Sequence, residues 1–461
     1  MNIRIPSAPA VPSAVSPAAS NRRANPKNQR TEASPAPESD GHSRVTAALI
    51  WLSNYFESHR GAIAKTSSGP VDSVLAAVVI ALIGFGVVMV YSASAIEATV
   101  RYHDAQFFLK RQGVYALLGL AAMWIVSRID YRRLRPLTYP ILISVVLMLL
   151  ACVAGFGHKA GNAYRWLNLG PVNIQPAETA KLGIVIWLAY SLSKKAERIK
   201  SFSVGFLPHL LVVGLLMLLC LKQPDFGSAV VLLFLTFTLL FVAGARIPYI
   251  AAFTMLLALA GAALVRFSGY RYARYLAWID MESNKNGLAY QPFQSVMSFG
   301  SGGLSGLGLG RGLQVLYLPE AHTDFVSAIV GEELGFIGIL MLGMAYLVVV
   351  ARGVRVALNA HDDYGSFLAF GIATMFGIQA LTNLAVAMAI LPTKGLTLPF
   401  MSYGGSSLLV NAAAVGILLN ISRPRHEILP EEKKPSKTPE GPEPSASAVV
   451  ATSAEQGASG W

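Results

Sequence analysis

Long apolar runs separated by short polar segments occupy most of this chain between residues 73 and 423. Each run is long enough for a helix of about 20 residues, which is the length that crosses the hydrocarbon core of a bilayer. The runs begin near Ser73, Gln112, Leu137, Ala177, Val204, Ser228, Tyr249, Val326, Gly365 and Gly405. This pattern predicts an all-α polytopic membrane protein of about ten transmembrane helices, with one long loop (residues 267–323) before the eighth.

Composition supports a membrane protein over a soluble one. Of the 461 residues, 54% are hydrophobic and 13% are charged, whereas a soluble domain carries about 25% charged residues. The net charge of +12 comes from short clusters between apolar runs, so it indicates topology and not a nucleic-acid-binding surface. Cys152 and Cys220 both lie inside apolar runs, so neither a disulfide framework nor a cysteine metal site is indicated.

Positive residues alternate between the loops. They follow the second, fourth, sixth, eighth and tenth runs, as Arg128, Arg132, Arg133, Arg135, Lys194, Lys195, Arg198, Lys200, Arg246, Arg352, Arg355, Arg423 and Arg425. The positive-inside rule places these loops and both termini in the cytoplasm, so the long loop and Asp324 face outward. Lys110 and Arg111 are exceptions on the outer side, and are either functional or a snorkelling pair at a helix end.

The two ends of the chain differ from the middle. Residues 1–68 are rich in Pro, Ala, Ser and Asn and lack the apolar region of a signal peptide, which predicts a disordered cytoplasmic tail. Within it, residues 45–56 are apolar but too short to span, which suits an interfacial helix. Residues 69–423 form the predicted transmembrane domain, and residues 424–461 a second disordered cytoplasmic tail.

Polar residues in the outward loops are candidates for chemistry. Pro176 suits the first turn of a helix and places Glu178 and Lys181 three residues apart on one face, either as an intramembrane ion pair or with the lysine facing a ligand. Trp166, in an earlier part of the same loop, has the position of an interfacial anchor. Asp225 suits a helix N-cap turn.

Two further outward segments have irregular sequence. Residues 391–407 contain two prolines and a Gly pair, and such backbone at the membrane rim is tolerated only where it is buried or lines a cavity. Lys394 within this segment is a candidate anion contact. The glycine run from Gly300 to Gly312 follows no strand, so it indicates flexible or tightly packed loop backbone more than a phosphate cradle.

The long loop re-enters an apolar run as Pro319-Glu320-Ala321-His322-Thr323-Asp324-Phe325, followed by Gly331-Glu332-Glu333-Leu334-Gly335. Ionisable groups at the bilayer centre cost about 2.5–3.5 kcal/mol on insertion scales, so they usually have a function. From spacing alone, Asp324 fits an acid at a helix start; the alternative is a catalytic carboxylate. A helix N-terminus would lower its pKa, and an apolar wall would raise it.

Together these motifs resemble the SEDS family of bacterial cell-wall polymerases. The resemblance covers residues 73–423 and rests on ordered blocks: Arg165-Trp166, Gln175-Pro176-Ala177-Glu178, Tyr290-Gln291, Gln294-Ser295, the two segments around Asp324, and Ser402-Tyr403-Gly404-Gly405-Ser406-Ser407. The segment from Leu391 to Pro399 is more similar to the division-type member of the family than to the elongation-type member.

The resemblance implies a peptidoglycan glycosyltransferase that polymerises lipid II, with inversion to a β-1,4 linkage, at the outer face of the inner membrane during septal synthesis. It implies that Asp324 is the catalytic base. It also implies a set of candidate residues for contact with the substrate or its pyrophosphate: Arg111, Arg165, Trp166, Glu178, Lys181, Gln294, Ser295, Glu320, His322, Lys394, Ser402, Gly404, Gly405 and Ser406.

The same resemblance sets expectations for cofactors and partners. A divalent cation such as Mg²⁺ or Mn²⁺ would assist or replace Lys and Arg at the pyrophosphate, and no organic cofactor is indicated. The implied partners are lipid II, the growing glycan strand, a class B penicillin-binding transpeptidase and other division-complex membrane proteins. Asp280-Met281-Glu282 stands where the family usually has Asp-Pro pairs, and Ala177 where it usually has Ser. The first departure puts a metal-holding role for Asp280 or Glu282 in doubt.

Other functions fit parts of the sequence. A lipid II flippase would also need intramembrane charge and irregular backbone, but its polar residues should line a path through the bilayer, whereas here they crowd one face. An elongation-type polymerase would share the motifs. A scaffold that only recruits a transpeptidase leaves the carboxylates at the rim unexplained.

Overall fold

The computed structural model describes residues 67–160, 163–169 and 172–426. The remainder of the two predicted tails, including the expected interfacial helix at 45–56, lies outside the described residues. The α-helices of the described part are α1 (Ser73–Tyr102), α2 (Phe107–Arg128), α3 (Leu134–Val153), α4 (Pro176–Lys194), α5 (Leu207–Lys222), α6 (Phe226–Val242), α7 (Ile247–Arg266), α8 (Gly269–Ile279), α9 (Tyr290–Gly302), α10 (Val326–Leu358), α11 (Asp363–Ala387) and α12 (Gly405–Ile421).

A helix is present at every predicted apolar run, and each begins within a few residues of the expected position. Within the described ranges, six helical segments are long and apolar enough to cross a membrane: Ser73–Tyr102, Tyr131–Val153, Phe202–Lys222, Ile247–Arg266, Val326–Leu358 and Asp363–Ala387. Helices α6 and α12 are apolar but shorter. The chain is therefore a predominantly helical, multi-pass membrane protein, and the total of about ten spans stays a prediction.

The helices differ in how much of their surface the protein covers. Helix α4 is buried along most of its length between α3, α6 and α11, whereas α7 has no buried residue. An apolar helix that is not covered by protein is suited to face lipid. Helices α4, α11 and α12 therefore form the centre of the bundle, and α7 lies at its edge.

A small antiparallel sheet departs from the all-α expectation. Strands β2 (His158–Ala160), β3 (Ala163–Leu169) and β4 (Val172–Ile174) lie between α3 and α4, and Leu167 pairs with Ile174. The sequence from Tyr164 to Leu169 is rich in bulky residues, which suits a strand, but the segment is too short to be detected as an apolar run. The sheet places Arg165 and Trp166 at the end of the bundle where α4 begins.

The long loop is mostly structured. It contains α8 and α9, and its glycine-rich part packs against α10, which is broken at Gly335 (φ 66°, ψ −162°). Backbone groups of the loop replace the helical hydrogen bonds that the break removes: Leu307 N to Glu332 O (3.0 Å), Gly308 N to Glu333 O (2.9 Å), Phe336 N to Gly303 O (2.9 Å) and Ile337 N to Leu304 O (3.2 Å). The backbone groups at the break therefore form hydrogen bonds with the loop and are not left unpaired.

The glycine run is tightly packed. Gly306 has a positive φ of 79°, and a Cβ at this position would collide with the carbonyl group of Glu333. Two further backbone amides of the loop, those of Leu313 and Gln314, donate to the buried Glu332 carboxylate at 2.7 and 3.0 Å. The run is therefore tightly packed loop backbone, in line with the interpretation that the sequence favoured over a phosphate cradle.

The two ends of the transmembrane domain lie together. Strands β1 (Ser67–Ser68) and β5 (Arg425–His426) pair antiparallel, so the start of α1 and the end of α12 are on one side of the bundle. This pairing requires an even number of membrane crossings. It agrees with the prediction that both tails leave from the same membrane face.

The topology can be tested with reporter fusions after Ser268 and after Arg425. We expect an outward-facing reporter at the first position and a cytoplasmic reporter at the second. Ser268 follows the seventh apolar run, on the side without the positive clusters, whereas Arg425 follows the tenth run and belongs to a positive cluster. A cytoplasmic signal after Ser268, or an exported signal after Arg425, would overturn the orientation.

Candidate functional site

A cavity of about 900 Å³ lies beside the start of α10. Its walls come from β3, the turn between α5 and α6, the end of α7, helix α8, and the loop between α11 and α12. Six charged side chains line it, and cations outnumber carboxylates four to two: Arg165, Asp225, Arg271, Arg274, Asp324 and Lys394. The cavity is therefore suited to an anionic ligand next to a carboxylate.

Asp324 lies in the turn before α10 and does not cap that helix. The N-cap residue is Phe325, and no side chain makes a cap hydrogen bond there. Among the described residues, no donor forms a hydrogen bond with the Asp324 carboxylate. The helix-start interpretation is therefore not the observed arrangement, and the carboxylate is left facing the cavity.

Burial raises the pKa of Asp324 to about 7, and the charge of Glu320 adds to the rise while Arg165 opposes it. The half-buried side chain is reached from the cavity, but protein surrounds the carboxyl on its other sides. Of the two opposing effects considered from the sequence, burial has the larger influence on the pKa of Asp324. A carboxyl with a pKa near neutrality is suited to accept a proton at physiological pH.

The residues just before Asp324 shape the turn. The carbonyl of Glu320 accepts the amides of Thr323 and Asp324 at 3.1 Å each, and Glu320 has a positive φ of 58°. His322 is buried away from the cavity lining, 4.6 Å from the ring of Phe108, and burial lowers its pKa. Glu320 and His322 therefore build the turn and do not line the cavity.

Lys394 and the two arginines of α8 also line the cavity. The Lys394 Nζ lies 4.5 Å from the Phe226 ring centroid, and burial together with Arg274 and Arg271 lowers its pKa. Arg274 donates to the Thr393 hydroxyl at 3.2 Å. These contacts orient the cations, which repel one another in the absence of an anion.

Arg165 is held by backbone. Its guanidinium donates to the carbonyl groups of Gln223 and Pro224, at 3.0 and 2.9 Å, in the turn before α6. Asp225 in that turn caps α6, as expected, because it accepts the amide of Ser228 at 3.0 Å. Both side chains are thereby fixed at the cavity wall.

The loop that carries Lys394 touches Asp324 directly. A Cβ on Gly395 would lie 3.0 Å from the Asp324 Oδ2. Such a contact is closer than side chains normally allow, so glycine is required for the loop to approach the carboxylate without a shift. The candidate base therefore contacts the loop that carries the candidate anion contact.

Glu178 and Lys181 lie elsewhere, inside the bundle. The Lys181 Nζ is 2.8 Å from Glu178 Oε1 and 2.8 Å from Gln379 Oε1, and the lysine is 1% exposed. Glu178 also accepts the hydroxyl of Ser407 at 3.3 Å. The observed arrangement is the intramembrane ion pair, and neither residue lines the cavity.

Most other candidates have structural contacts outside the cavity lining. The hydroxyl groups of three serines bond to backbone: Ser295 to Ala387 O (2.6 Å), Ser402 to Leu398 N (2.8 Å) and Ser406 to Gln175 N (3.3 Å). The exposed Arg111 stacks on Phe107 at 4.5 Å, Trp166 lies in β3, Gln294 lies on α9, and Gly404 and Gly405 form the start of α12. Of the predicted residues, the cavity brings together Asp324, Arg165 and Lys394.

Sequence reasoning missed Arg271 and Arg274. They lie three residues apart on the amphipathic helix α8, inside a loop predicted to face outward. Positive residues in an outward loop are exceptions to the positive-inside rule. This signal was used only for Lys110 and Arg111, and the same signal in the long loop would have identified Arg271 and Arg274.

The described residues contain no group of three or more His, Cys, Asp or Glu side chains arranged to hold a metal ion. Asp280 and Glu282 lie in a turn after α8, where Glu282 pairs with Lys285 at 2.6 Å. At the cavity, Asp225 and Asp324 are the two lining carboxylates. Mg²⁺ is commonly bound by one or two carboxylates together with substrate phosphates, so a single carboxylate of this cavity suffices for a substrate-dependent metal.

The chain matches the family model FTSW_RODA_SPOVE, described as "Cell cycle protein", over residues 72–427. It is 48% identical over 353 residues to a probable peptidoglycan glycosyltransferase FtsW of Geobacter metallireducens, covering 76% of this chain and 94% of that protein. It is 41% identical over 357 residues to stage V sporulation protein E of Bacillus subtilis, covering 76% of this chain and 97% of that protein.

Solved structures give the same result. A chain described in "Structural coordination of polymerization and crosslinking by a peptidoglycan synthase complex" superposes with a TM-score of 0.64 at 31% identity, covering 76% of this chain and 97% of its own length. The rod shape determining protein RodA of Thermus thermophilus superposes with a TM-score of 0.57 at 30% identity, covering 76% and 96%. The chain belongs to the FtsW/RodA/SpoVE family, and the resemblance read from its motifs is confirmed.

Proposed function

We propose that this chain is a peptidoglycan glycosyltransferase of the FtsW type, which polymerises lipid II at the outer face of the cytoplasmic membrane. The observation that carries the proposal is the cavity that Asp324 lines together with four cations. The named activity of the relatives at 48% identity supports the same class of reaction.

Asp324 is the general base of this proposal. Inversion needs one in-line displacement: the 4-hydroxyl of the acceptor sugar forms a bond to C1 of the donor sugar while the bond from C1 to the pyrophosphate oxygen breaks. The proton of the acceptor hydroxyl moves to the Asp324 carboxylate. The carboxylate is free of protein hydrogen-bond donors among the described residues and has a pKa near 7, so it is available for this transfer.

The cations stabilise the leaving group. The lipid pyrophosphate gains negative charge as the bond breaks, and positive groups fixed in advance reduce the activation barrier. Lys394, Arg271, Arg274 and Arg165 surround the cavity and supply this charge. Lys181, with its two buried partners at 2.8 Å, supports the fold of the bundle instead.

A divalent cation fits this site as an addition to the protein cations. Asp225 would hold it together with pyrophosphate oxygens, since a carboxylate that caps a helix keeps further lone pairs. A bound Mg²⁺ or Mn²⁺ would neutralise charge on the leaving group. Asp324 then remains available as the base.

The partner and the location follow from the same family. The solved relative is a chain of a complex that coordinates polymerisation and crosslinking, so we infer a class B penicillin-binding transpeptidase as the partner of this chain. Other division-complex membrane proteins would join them at the septum. A flippase is less well supported, because the charged cavity residues come from loops, helix ends and α8 at one end of the bundle and do not line a path across it.

Asp324→Asn tests the base. The amide has nearly the same size but cannot accept the proton, so the rate of glycan polymerisation from lipid II should fall by about 10²-fold or more. The assay uses the purified full chain reconstituted with its transpeptidase partner. Polymerisation near the wild-type rate would end the catalytic assignment.

The pH dependence gives the control for this substitution. Below pH about 7 the base is protonated, so the wild-type rate should fall as pH decreases. Folding raises the pKa of Asp324 from 3.8 to about 7, so the native state retains a proton that the unfolded state releases between these values. Wild-type thermal stability should therefore decrease relative to Asp324→Asn as pH rises through this interval. A less stable Asp324→Asn protein above pH 7 would contradict the buried-carboxyl account.

Neutralising the cavity cations tests the leaving-group site. Lys394→Gln and Arg274→Gln should each lower kcat/KM for lipid II by about 10-fold or more, because each removes positive charge near the pyrophosphate. Lys110→Gln is the matched control, since Lys110 pairs with Asp104 at 2.8 Å on an exposed surface outside the cavity lining. Equal activity of all three variants per folded molecule would place the pyrophosphate elsewhere.

Depletion in the cell tests the septal role. We expect filaments with blocked septa, because the segment from Leu391 to Pro399 and the FtsW-named relatives indicate the division type. Rounded, widened cells would indicate the elongation role instead.

A further inference from the structure

One buried amide connects the two functional segments of the cavity. Asn383, in the last turns of α11, is 2% exposed. Its Nδ2 donates to the backbone carbonyl of Asp324 at 2.9 Å and to that of Leu396 at 2.7 Å. The first carbonyl belongs to the candidate base, and the second to the loop that carries Lys394.

The orientation of this amide is fixed by a third contact. The Asn383 Oδ1 accepts the hydroxyl of Ser327, in the first turn of α10, at 2.9 Å. If the amide were turned over, its oxygen would face two carbonyl oxygens, which cannot donate. Both amide hydrogens and the amide oxygen are therefore used, and a residue without this set of donors and acceptor leaves buried carbonyl groups unpaired.

The contact between the two segments is close enough to depend on this link. Gly395 lies between Lys394 and Leu396, and its Cα side approaches the Asp324 carboxylate so closely that a Cβ would lie 3.0 Å from Oδ2. The backbone on both sides of this contact is irregular, so no helix or strand hydrogen bonds fix its spacing. Asn383 supplies a shared anchor at that point.

We propose that Asn383 is a positioning residue for glycosyl transfer, which sets the distance between the Asp324 carboxylate and the Lys394 loop. The proposal rests on the proposed function, because it assigns the base and the leaving-group site to these two segments. A misplacement of about 1 Å between reacting groups can lower a rate by about 10²-fold, so loss of this anchor affects the chemistry as well as the fold.

The chain offers a matched control. Asn420 on α12 is also buried, at 5% exposure, and also joins other segments: its Nδ2 donates to Ser127 O at 2.9 Å, and its Oδ1 accepts the amide of Tyr131 at 3.0 Å. These contacts lie at the opposite ends of the helices from the cavity. Asn383→Ala and Asn420→Ala should therefore lower the melting temperature to a similar degree.

The experiment compares polymerisation of lipid II by the two variants, with the partner present and rates expressed per folded molecule. Asn383→Ala should lower kcat/KM by about 10-fold or more, and Asn420→Ala should stay within about twofold of wild type. Equal activity of the two variants would overturn the proposal.

If Asn383→Ala does not fold, Ser327→Ala removes only the hydroxyl that orients the amide and should lower kcat/KM several-fold at a near-normal melting temperature. Unchanged kcat/KM in Ser327→Ala would then contradict the proposal.

Coupling to Lys394 separates positioning from general destabilisation. Asn383→Ala combined with Lys394→Gln should lower kcat/KM by less than the product of the single effects, because the first change already displaces the lysine. Asn420→Ala combined with Lys394→Gln should be multiplicative. Multiplicative behaviour of both pairs would remove the positioning role.

If Asp324→Asn abolishes polymerisation while Asn383→Ala does not reduce it, only this inference fails. If Asp324→Asn is active, the proposed base itself fails.

Discussion

Irregular backbone at the rim of a membrane must find its hydrogen bonds inside the protein, because lipid offers none. Such backbone forms the turn before α10, the break in that helix and the loop between α11 and α12, and the first and third of these line the candidate site. Each is held by specific partners. Asn383 holds the first and third, the glycine-rich loop and Glu332 hold the break, and the hydroxyl of Tyr346 donates to the carbonyl of Pro399. The positions of Asp324 and of the loop that carries Lys394 depend on the bonds of Asn383.

The same constraint explains the electrostatics of the cavity. Lys394, in the irregular loop between α11 and α12, lies close to Arg271 and Arg274 of α8 even though their charges repel, and burial and the two arginines lower the pKa of Lys394. The Asp324 carboxyl is likewise held where burial raises its pKa to about 7. The lowered pKa of Lys394 and the raised pKa of Asp324 both mean that the charged form of the side chain is disfavoured in the protein without substrate. An anionic substrate that pairs with the cations would relieve their mutual repulsion and would itself be stabilised.

Much of the fold could be predicted from the sequence, since apolar runs determine where helices form. Lys394 was predicted because it lies in irregular backbone at the membrane rim, and the catalytic role of Asp324 was predicted from the family resemblance, since its spacing alone fitted a helix start. Arg271 and Arg274 were missed because α8 is short and amphipathic and lies in a loop without an apolar run. The buried partner of Lys181, Gln379, is 198 residues away in the chain, so no local pattern could choose between an ion pair and a ligand contact.

The most direct measurement is a structure of the full-length Asp324→Asn protein bound to lipid II and an acceptor strand. We expect the pyrophosphate to lie against Lys394 and the arginines of α8. We also expect the acceptor 4-hydroxyl to lie within hydrogen-bond distance of the side chain at position 324. A pyrophosphate bound outside this cavity, for example at Arg111, or an acceptor hydroxyl remote from position 324, would contradict the proposed mechanism.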